Sequence, residues 1–321
     1  MLDVRRLRLL RELAHRGTIA AVAQALSFTP SAVSQQLSAL EREAGLPLLE
    51  RSGRRVVLTP AGRNLVRHAE AVLEQLERAA AELAGARQGL AGPLRIGTFA
   101  SAGRTMIPAA LIALARQHPG LEPMVSEIDP ADVADALRAG DLEVALIHEY
   151  DFSAARPEPG LETDALCTEA MFLAWPATAE AAADAGEIGR WRDWPWITAT
   201  TGTLCQQMTV RACQAAGFTP RARHRVDDFS TTLALVAAGQ GVALVPQLGL
   251  ADLPPGVMLT RLPLSRRTQV AYRSGADRHP AVAAITTALR SAIPPELTPA
   301  PIKDPDDQQR SPGAAAILPR E

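Results

Sequence analysis

The sequence is poor in cysteine, almost without lysine, and has no long apolar run, and each scarcity excludes something. Three cysteines, Cys167, Cys205 and Cys213, are too few for a disulfide framework and fit a reducing compartment. No apolar run approaches the roughly 18 residues of a membrane span. The opening Met1-Leu2-Asp3-Val4 has no apolar signal core behind it, so a cytoplasmic protein without a membrane partner is expected. A formal net charge of −2 rules out a polybasic coat over the whole chain. No G-x-S-x-G elbow, phosphate-binding loop, dinucleotide fingerprint or paired-histidine motif occurs, and His15, His68, His118, His148, His224 and His279 are scattered. Neither an enzyme, nor a metal site, nor a resident cofactor is therefore expected. Lys303 is the single lysine among 33 basic residues, an arginine bias that reads as genome composition.

What charge there is lies unevenly. Residues 1–67 hold eleven arginines against five acids, a local +6 that leaves −8 for the rest. A basic head on an acidic body is the electrostatic outline of a nucleic-acid module joined to something that does not touch nucleic acid. The head resolves into short helices. Leu7, Leu10, Leu13 and Ala14 share one face of a helix that stops at Gly17, and Thr18 caps a second with Ile19, Val22, Ala23 and Leu26 at core spacing. Thr29-Pro30 opens a third, an N-cap threonine followed by proline at the first helical position, with Val33, Leu37 and Leu40 on its apolar face. Two helices joined by the tight Ser27-Phe28-Thr29 turn have the helix-turn-helix layout. Two extended pieces between Leu48 and Leu58, turning at Ser52-Gly53, then form a wing with Arg51, Arg54 and Arg55 at its tip.

Thr59-Pro60 opens a long helix in which Leu65, Ala69, Val72, Leu76, Ala79 and Leu83 recur by four and three. Such a seam packs either on the chain's own body or on a second copy, and its narrowness favours a dimer through residues 60–84. Gly85, Gly89, Gly92 and Pro93 read as a hinge. From Leu94 strands and helices alternate. Strands at 94–99, 123–128 and 144–147 enclose helices running to Gln117 and over 131–139, a βαβαβ unit. A second set follows, with strands at 170–175, 196–198, 224–226 and 242–245 and helices after Gly202 and over 230–238. Strand 269–273 and helix 281–292 return to the first unit. From Pro294 the chain has little to bury, and a disordered tail over 294–321 is expected.

The stretch from Leu7 to Leu73 closely resembles the N-terminal domain of LysR-type transcriptional regulators. Gly17-Thr18 precedes helix two, and Pro30-Ser31 starts helix three. Ser34-Gln35-Gln36-Leu37-Ser38-Ala39-Leu40-Glu41 forms its core, and Leu48-Leu49-Glu50-Arg51 and Leu58-Thr59-Pro60-Ala61-Gly62 follow in the family's order. Leu49 stands where the family usually has Phe. Residues 93–123 are similar to the family's first effector strand and helix, and residues 233–247 to a segment of its second subdomain, so the resemblance spans roughly 3 to 293. It implies an α/β fold class with three parts: an N-terminal winged helix-turn-helix (1–59), a linker and dimerisation helix with hinge (60–91), and two α/β subdomains of periplasmic-binding-protein type (92–293). Subdomain 1 would hold about 92–165 and 265–293, subdomain 2 about 166–264.

In that frame helix three enters the major groove and the wing meets phosphate. Thr29, Pro30, Ser31, Ser34, Gln35 and Ser38 lie at its N-terminal, polar side, with Gln35 the candidate for adenine readout or else a solvated polar residue. Arg51, Arg54 and Arg55 contact phosphate or form surface ion pairs. Double-stranded operator DNA, a second copy of the chain and RNA polymerase are the expected partners, the family commonly binding as a tetramer of two dimers. The body would hold a small-molecule effector beyond strand ends, at Ser101 and Ala102 on one side and Thr200, Thr201 and Gly202 on the other. The same hydroxyls also suit plain helix caps. His148, Phe229 and Gln247 are further candidates. Cys205 and Cys213 lie near the redox pair of the family's peroxide sensors, although Leu204 occupies one of those positions and core packing is the commoner role. Trp191, Trp194 and Trp196 read as packing. The rival reading is a DNA-binding architectural or replication-associated protein without ligand response.

Overall fold

The computed structural model describes residues 1–52, 55–86, 89–152, 158–179 and 187–301. The head forms as its capping residues dictate. Helix α1 (Val4–Arg16) starts at Asp3, whose carboxylate accepts from the Arg5 and Arg6 amides, and ends at Gly17 with φ 73°. Thr18 caps α2 (Ile19–Ala25), and Thr29 caps α3 (Pro30–Ala44), which Gly45 terminates in the left-handed region. The turn between α2 and α3 places Ser27 at φ 56°. Leu7, Leu10, Val22, Val33, Leu37, Leu40 and Leu48 close one core. Strands β1 (Leu49–Ser52) and β2 (Arg55–Leu58) pair antiparallel as the wing. Gly53 and Arg54 lie outside the described residues, as do the side chains of Ser52 and Arg55.

Thr59 caps the 26-residue α4 (Pro60–Gly85). Its N-terminal third belongs to the head: Ala69 is fully buried there, and Leu65 packs beside it. Further along the same seam Val72, Leu76 and Leu83 are exposed. The expected hinge is shorter than the glycine pattern indicated. Gly92 and Pro93 already sit in β3 (Ala91–Thr98), paired with Leu121 and Glu122 of the parallel β4 (Gly120–Glu127).

The first unit of the body is the expected βαβαβ. The helix expected to run unbroken to Gln117 is divided into α5 (Ala100–Thr105) and α6 (Ile107–Gln117) because Pro108 supplies no amide hydrogen to the preceding turn. Helix α7 (Pro130–Ala139), N-capped by Asp129 and closed by Gly140, leads into β5 (Val144–Tyr150). Two strands are far longer than their apolar patches indicated: β6 (Leu161–Pro176) and β10 (Val257–Arg273) pair antiparallel along both units. The expected subdomain borders near 165 and 264 fall inside them. The sheet order is β11 (Thr298–Pro299), then β6-β10-β5-β3-β4, with β9 (Ala243–Pro246) also on β6. The second unit adds β7 (Pro195–Thr198) parallel to β8 (Arg221–Arg225), with α8 (Leu204–Ala215) and α9 (Phe229–Ala237). Trp191 and Trp196 are buried in its core beside Trp175, and the half-buried Trp194 packs against it, the packing role expected of Trp191, Trp194 and Trp196. Helix α10 (Pro280–Ser291) covers the first unit.

Disorder from Pro294 does not hold for the first residues of that segment. Leu297 is buried against the α10 core, and β11 (Thr298–Pro299) pairs with Thr168 and Cys167 of β6. One leucine and two ladder residues suffice to hold this short segment; residues 302–321 lie outside the described set.

Helix α4 docks on the wing where the Thr59 amide donates to the Leu48 carbonyl at 2.9 Å. A Cβ on Gly62 would run into that same carbonyl oxygen. Gly62→Ala is expected to lower head stability by about 1–3 kcal/mol. At Gly85 only a Pro280 ring carbon lies within ordinary contact, at 3.8 Å, so Gly85→Ala costs nothing there. Denaturant titration of the two variants checks the contrast.

Candidate DNA-binding and ligand-binding sites

Helix α3 turns Val33, Leu37 and Leu40 inward and leaves Thr29, Pro30, Ser31, Ser34, Gln35 and Ser38 exposed on the opposite side. Thr29 is occupied as the cap, accepting from the Ala32 amide at 3.2 Å and meeting the Ser31 hydroxyl at 3.0 Å. Gln35 is exposed, and so is Arg51 on the wing. The local +6 of the head is not all DNA-facing. Arg6 binds Glu43 and Gln36, while Arg8, Arg11 and Arg16 turn toward the body.

That turn builds a clasp. The Arg8 guanidinium donates to the carbonyls of Arg138 and Ala139 at 3.1 and 2.7 Å, and Arg11 reaches the same Arg138 carbonyl at 3.4 Å. Arg16 pairs with Asp135 at 2.9 Å. The cations therefore sit at the C-terminal end of α7, where the helix leaves carbonyls unsatisfied and its dipole is negative. Glu12, fully buried between Arg11 and Arg16, orders the clasp from the head's side. Burial alone would raise its carboxyl, but the Arg16 and Arg11 bonds hold it below its ordinary value. From the body, Arg273 ties α4 to the same region through Glu77 at 2.8 Å.

The opposite end of α7 opens on a cleft of about 760 Å³ between the two units. Asp129 and Pro130, at the start of α7, line it. So do Ser101, His148 and Phe229, three of the residues expected there, and also Phe99, Arg104, Glu127, Thr203, Cys205 and Arg266. Five expected residues do not. Ala102 is buried in the core, and Thr200, bonded to Asp227, stays exposed with Thr201 and Gly202 outside the lining. Gln247 faces elsewhere, donating to the Glu296 carbonyl at 3.1 Å. The physical reason on the second unit is the position of the cap. α8 starts after Gly202 as expected, with Thr203 as its cap accepting from the Gln206 amide, so Thr203 and not Thr201 stands at the helix end that lines the cleft.

Arg266 is the residue that sequence reading missed. It is 1% exposed, and its guanidinium lies 4.9 Å over the Phe99 ring. Its Nε donates to Glu169 at 2.7 Å and its Nη2 to Ser101 Oγ at 2.9 Å. Glu169 faces it directly across the β6–β10 ladder, and Tyr150 of β5 faces it on the other side. His148 stacks on Phe99 with ring centroids 4.7 Å apart. Burial, with the Arg266 charge beside it, holds its imidazole well below the usual range and so neutral.

Burial also pushes the Cys205 thiol up, against the Tyr150 hydroxyl 2.9 Å away, and Cys213 is pushed up to about 12. The two thiols lie eight residues apart on α8, roughly 12 Å along the axis, twice the span of a disulfide. Among the described residues no group of three or more His, Cys, Asp or Glu converges as a metal site, and no helix is long and apolar enough to cross a membrane.

A winged helix-turn-helix clasped to a two-lobed, cleft-bearing α/β body defines a DNA-binding regulator with a ligand-binding domain. Two family models match the two parts: "Bacterial regulatory helix-turn-helix protein, lysR family" over residues 4–63 and "LysR substrate binding domain" over residues 87–294. The chain belongs to the LysR family of transcriptional regulators. It is 30% identical over 288 residues to a probable hydrogen peroxide-inducible genes activator of Mycobacterium avium, covering 83% of this chain and 86% of that one. It is 28% identical over 276 residues to the uncharacterized regulator YcgK of Bacillus subtilis, covering 80% and 84%. A cysteine mutant of Corynebacterium glutamicum OxyR has a similar structure, with TM-score 0.55, 26% identity and 91% and 92% coverage.

Leaving the Arg266 guanidinium buried without its carboxylate is costly. Glu169→Ala is expected to destabilise the body by about 3–5 kcal/mol, whereas the double change Glu169→Leu with Arg266→Met costs much less. Urea unfolding of the single and double variants measures the difference.

Proposed function

We propose that this regulator binds an operator as a dimer and that a small molecule in the cleft changes how its heads are held. The observation that carries the reading is helix α7. Its first residues, Asp129 and Pro130, line the cleft, and its last carbonyls are gripped by Arg8 and Arg11 of the DNA-binding head. At about 1.5 Å per residue, ten residues place the two ends only about 15 Å apart. A ligand that favours one cleft closure shifts α7, and the clasp passes that shift to α1. Arg104, reaching across the cleft to Asp228 at 3.2 Å and to Ser230, is a contact that closure strengthens.

On the DNA side Ser34, Gln35 and Ser38 read bases while Arg51 and the other wing arginines, Arg54 and Arg55, meet phosphate. The exposed Val72, Leu76 and Leu83 of α4 supply the apolar seam for a second copy, and pairing of such dimers yields the family's tetramer. Ser101, His148 and Phe229, with Thr203 and Arg266, form the effector site. The thiols support ligand binding rather than disulfide chemistry, since Cys213 is buried and its partner lies beyond bonding reach.

Gln35→Ala is expected to relax base preference at one operator position by about 1–3 kcal/mol, while Arg51→Ala weakens all DNA alike and flattens the salt dependence. Binding titrations on operator and scrambled duplexes separate these, and equal losses on both duplexes for Gln35→Ala would remove the direct readout. For the clasp, Asp135→Arg, which meets Arg16 with like charge and leaves the Arg16–Glu12 pair in place, should speed amide exchange in α1 and the last turn of α7 without ligand, whereas Asp135→Glu should keep protection. Unchanged exchange in Asp135→Arg would show that the clasp does not hold the head.

A further inference from the structure

The direction of the hydrogen bonds beneath the cleft identifies what its floor offers a ligand. Arg266 has only donors. It gives Nη2 to Ser101 Oγ, and Tyr150 faces it across the β5–β10 ladder. The hydroxyl of Tyr150, 1% exposed, lies 2.9 Å from Cys205 Sγ. Cys205 Sγ in turn lies 3.7 Å from His148 Nε2, with the protonated thiol as the donor to the imidazole nitrogen, the stronger acceptor of the two. With Nε2 accepting, the neutral imidazole carries its proton on Nδ1. That Nδ1 is buried and has no partner among the described residues, on a side chain 7% exposed that lines the cleft. An unpaired buried N–H is costly, and a ligand acceptor would recover that cost. Ser101, accepting from Arg266, keeps its own O–H free as a second donor.

The mouth has the opposite character. Both cations of the lining are engaged, Arg266 with Glu169 and Arg104 with Asp228 and Asp252. Glu127, Asp129, Asp227 and Asp228 leave the lining with an excess of negative charge. Asp129 caps α7 with one oxygen and Asp227 holds Thr200, while Glu127 is exposed at the end of β4. The Phe99 and Phe229 rings and Leu204 give the space between floor and mouth an apolar wall.

We infer that the effector is a small aminocarbonyl compound: its carbonyl or carboxylate oxygen is received by His148 Nδ1–H and Ser101, and its protonated amine lies toward Glu127 and Asp129. The inference rests on the cleft being the effector site and adds the chemical class. A simple aromatic or aliphatic acid meets the floor donors but also the uncompensated acids of the mouth. A simple amine satisfies the mouth and leaves the buried N–H unpaired.

The test is calorimetry of the full chain with four probes that share one apolar body: L-phenylalanine, L-phenylalaninamide, phenethylamine and 3-phenylpropionate. The two that carry both groups should bind at least about tenfold more tightly than either single-function probe. Glu127→Gln with Asp129→Asn, which keeps the α7 cap, should remove the advantage over 3-phenylpropionate. His148→Leu should remove the advantage over phenethylamine, and His148→Asn, whose amide stands near Nδ1, should restore part of it. Nitrogen-15 spectra of histidine-labelled protein, assigned through His148→Leu, should show the Nδ1–H tautomer without any ligand. Equal binding of either single-function probe, no binding by any of the four, or an Nε2–H imidazole would overturn the inference. Operator affinity is measured in the same samples. Binding of the probes with no effect on the operator would leave the chemical class standing and contradict the regulatory reading instead.

Discussion

A guanidinium without access to water dictates much of this molecule. Arg266 lies between Glu169 on one neighbouring strand and Tyr150 on the other, in register across the sheet. Taking such a charge out of water is costly unless a carboxylate meets it with good geometry, and Glu169, itself fully buried and accepting from the Leu248 amide at 2.7 Å, does so. The pair fixes the register of β6 against β10, the two strands that run through both units. It also fixes the floor of the cleft, because Ser101 accepts from Arg266 and Tyr150, beside Cys205 and His148, is held in register against it. A buried ion pair contributes little net stability over apolar residues of the same volume. Its value here is geometric, holding a polar floor in one arrangement beneath a space that a ligand enters.

The second constraint is mechanical. Helix α7 has one end in the cleft and the other in the grip of the DNA-binding head. Guanidinium groups on the last carbonyls of a helix are favoured by the helix dipole, so the clasp is stable yet made of a handful of polar bonds. Such bonds can be exchanged for water at modest cost, unlike an apolar interface of the same size. A coupling element needs that balance. The arginines of α1 therefore serve the body as much as the nucleic acid, and the charge of the head overstates the surface it presents to DNA.

The head was legible residue by residue because its signals are local. Thr18, Thr29 and Thr59 are caps wherever they occur in such contexts, and Gly17 and Gly45 end helices for backbone reasons. The parallel unit of the body was legible from alternation, and Ser101, His148 and Phe229 reached the cleft as expected. What was missed depends on partners distant in sequence. The polar run Ser265-Arg266-Arg267-Thr268 reads as a loop until β5 and β6 flank it. The period of two that puts Arg266, Thr268 and Val270 on one buried face was the available signal. The site on the second unit shifted from Thr201 to Thr203 because the residue that caps α8, not the turn before it, stands at the cleft.

DNase footprinting of the full chain on the DNA upstream of its own gene, at two salt concentrations against scrambled competitor, tests the account most directly. A regulator of this construction protects an interrupted dyad, one half-site per head, and loses that protection steeply as salt rises, by about 0.9 log unit per log salt for each phosphate neutralised. Coating that is salt-sensitive but blind to sequence would contradict operator recognition, and with it the proposal that a ligand in the cleft has a regulated site to act on.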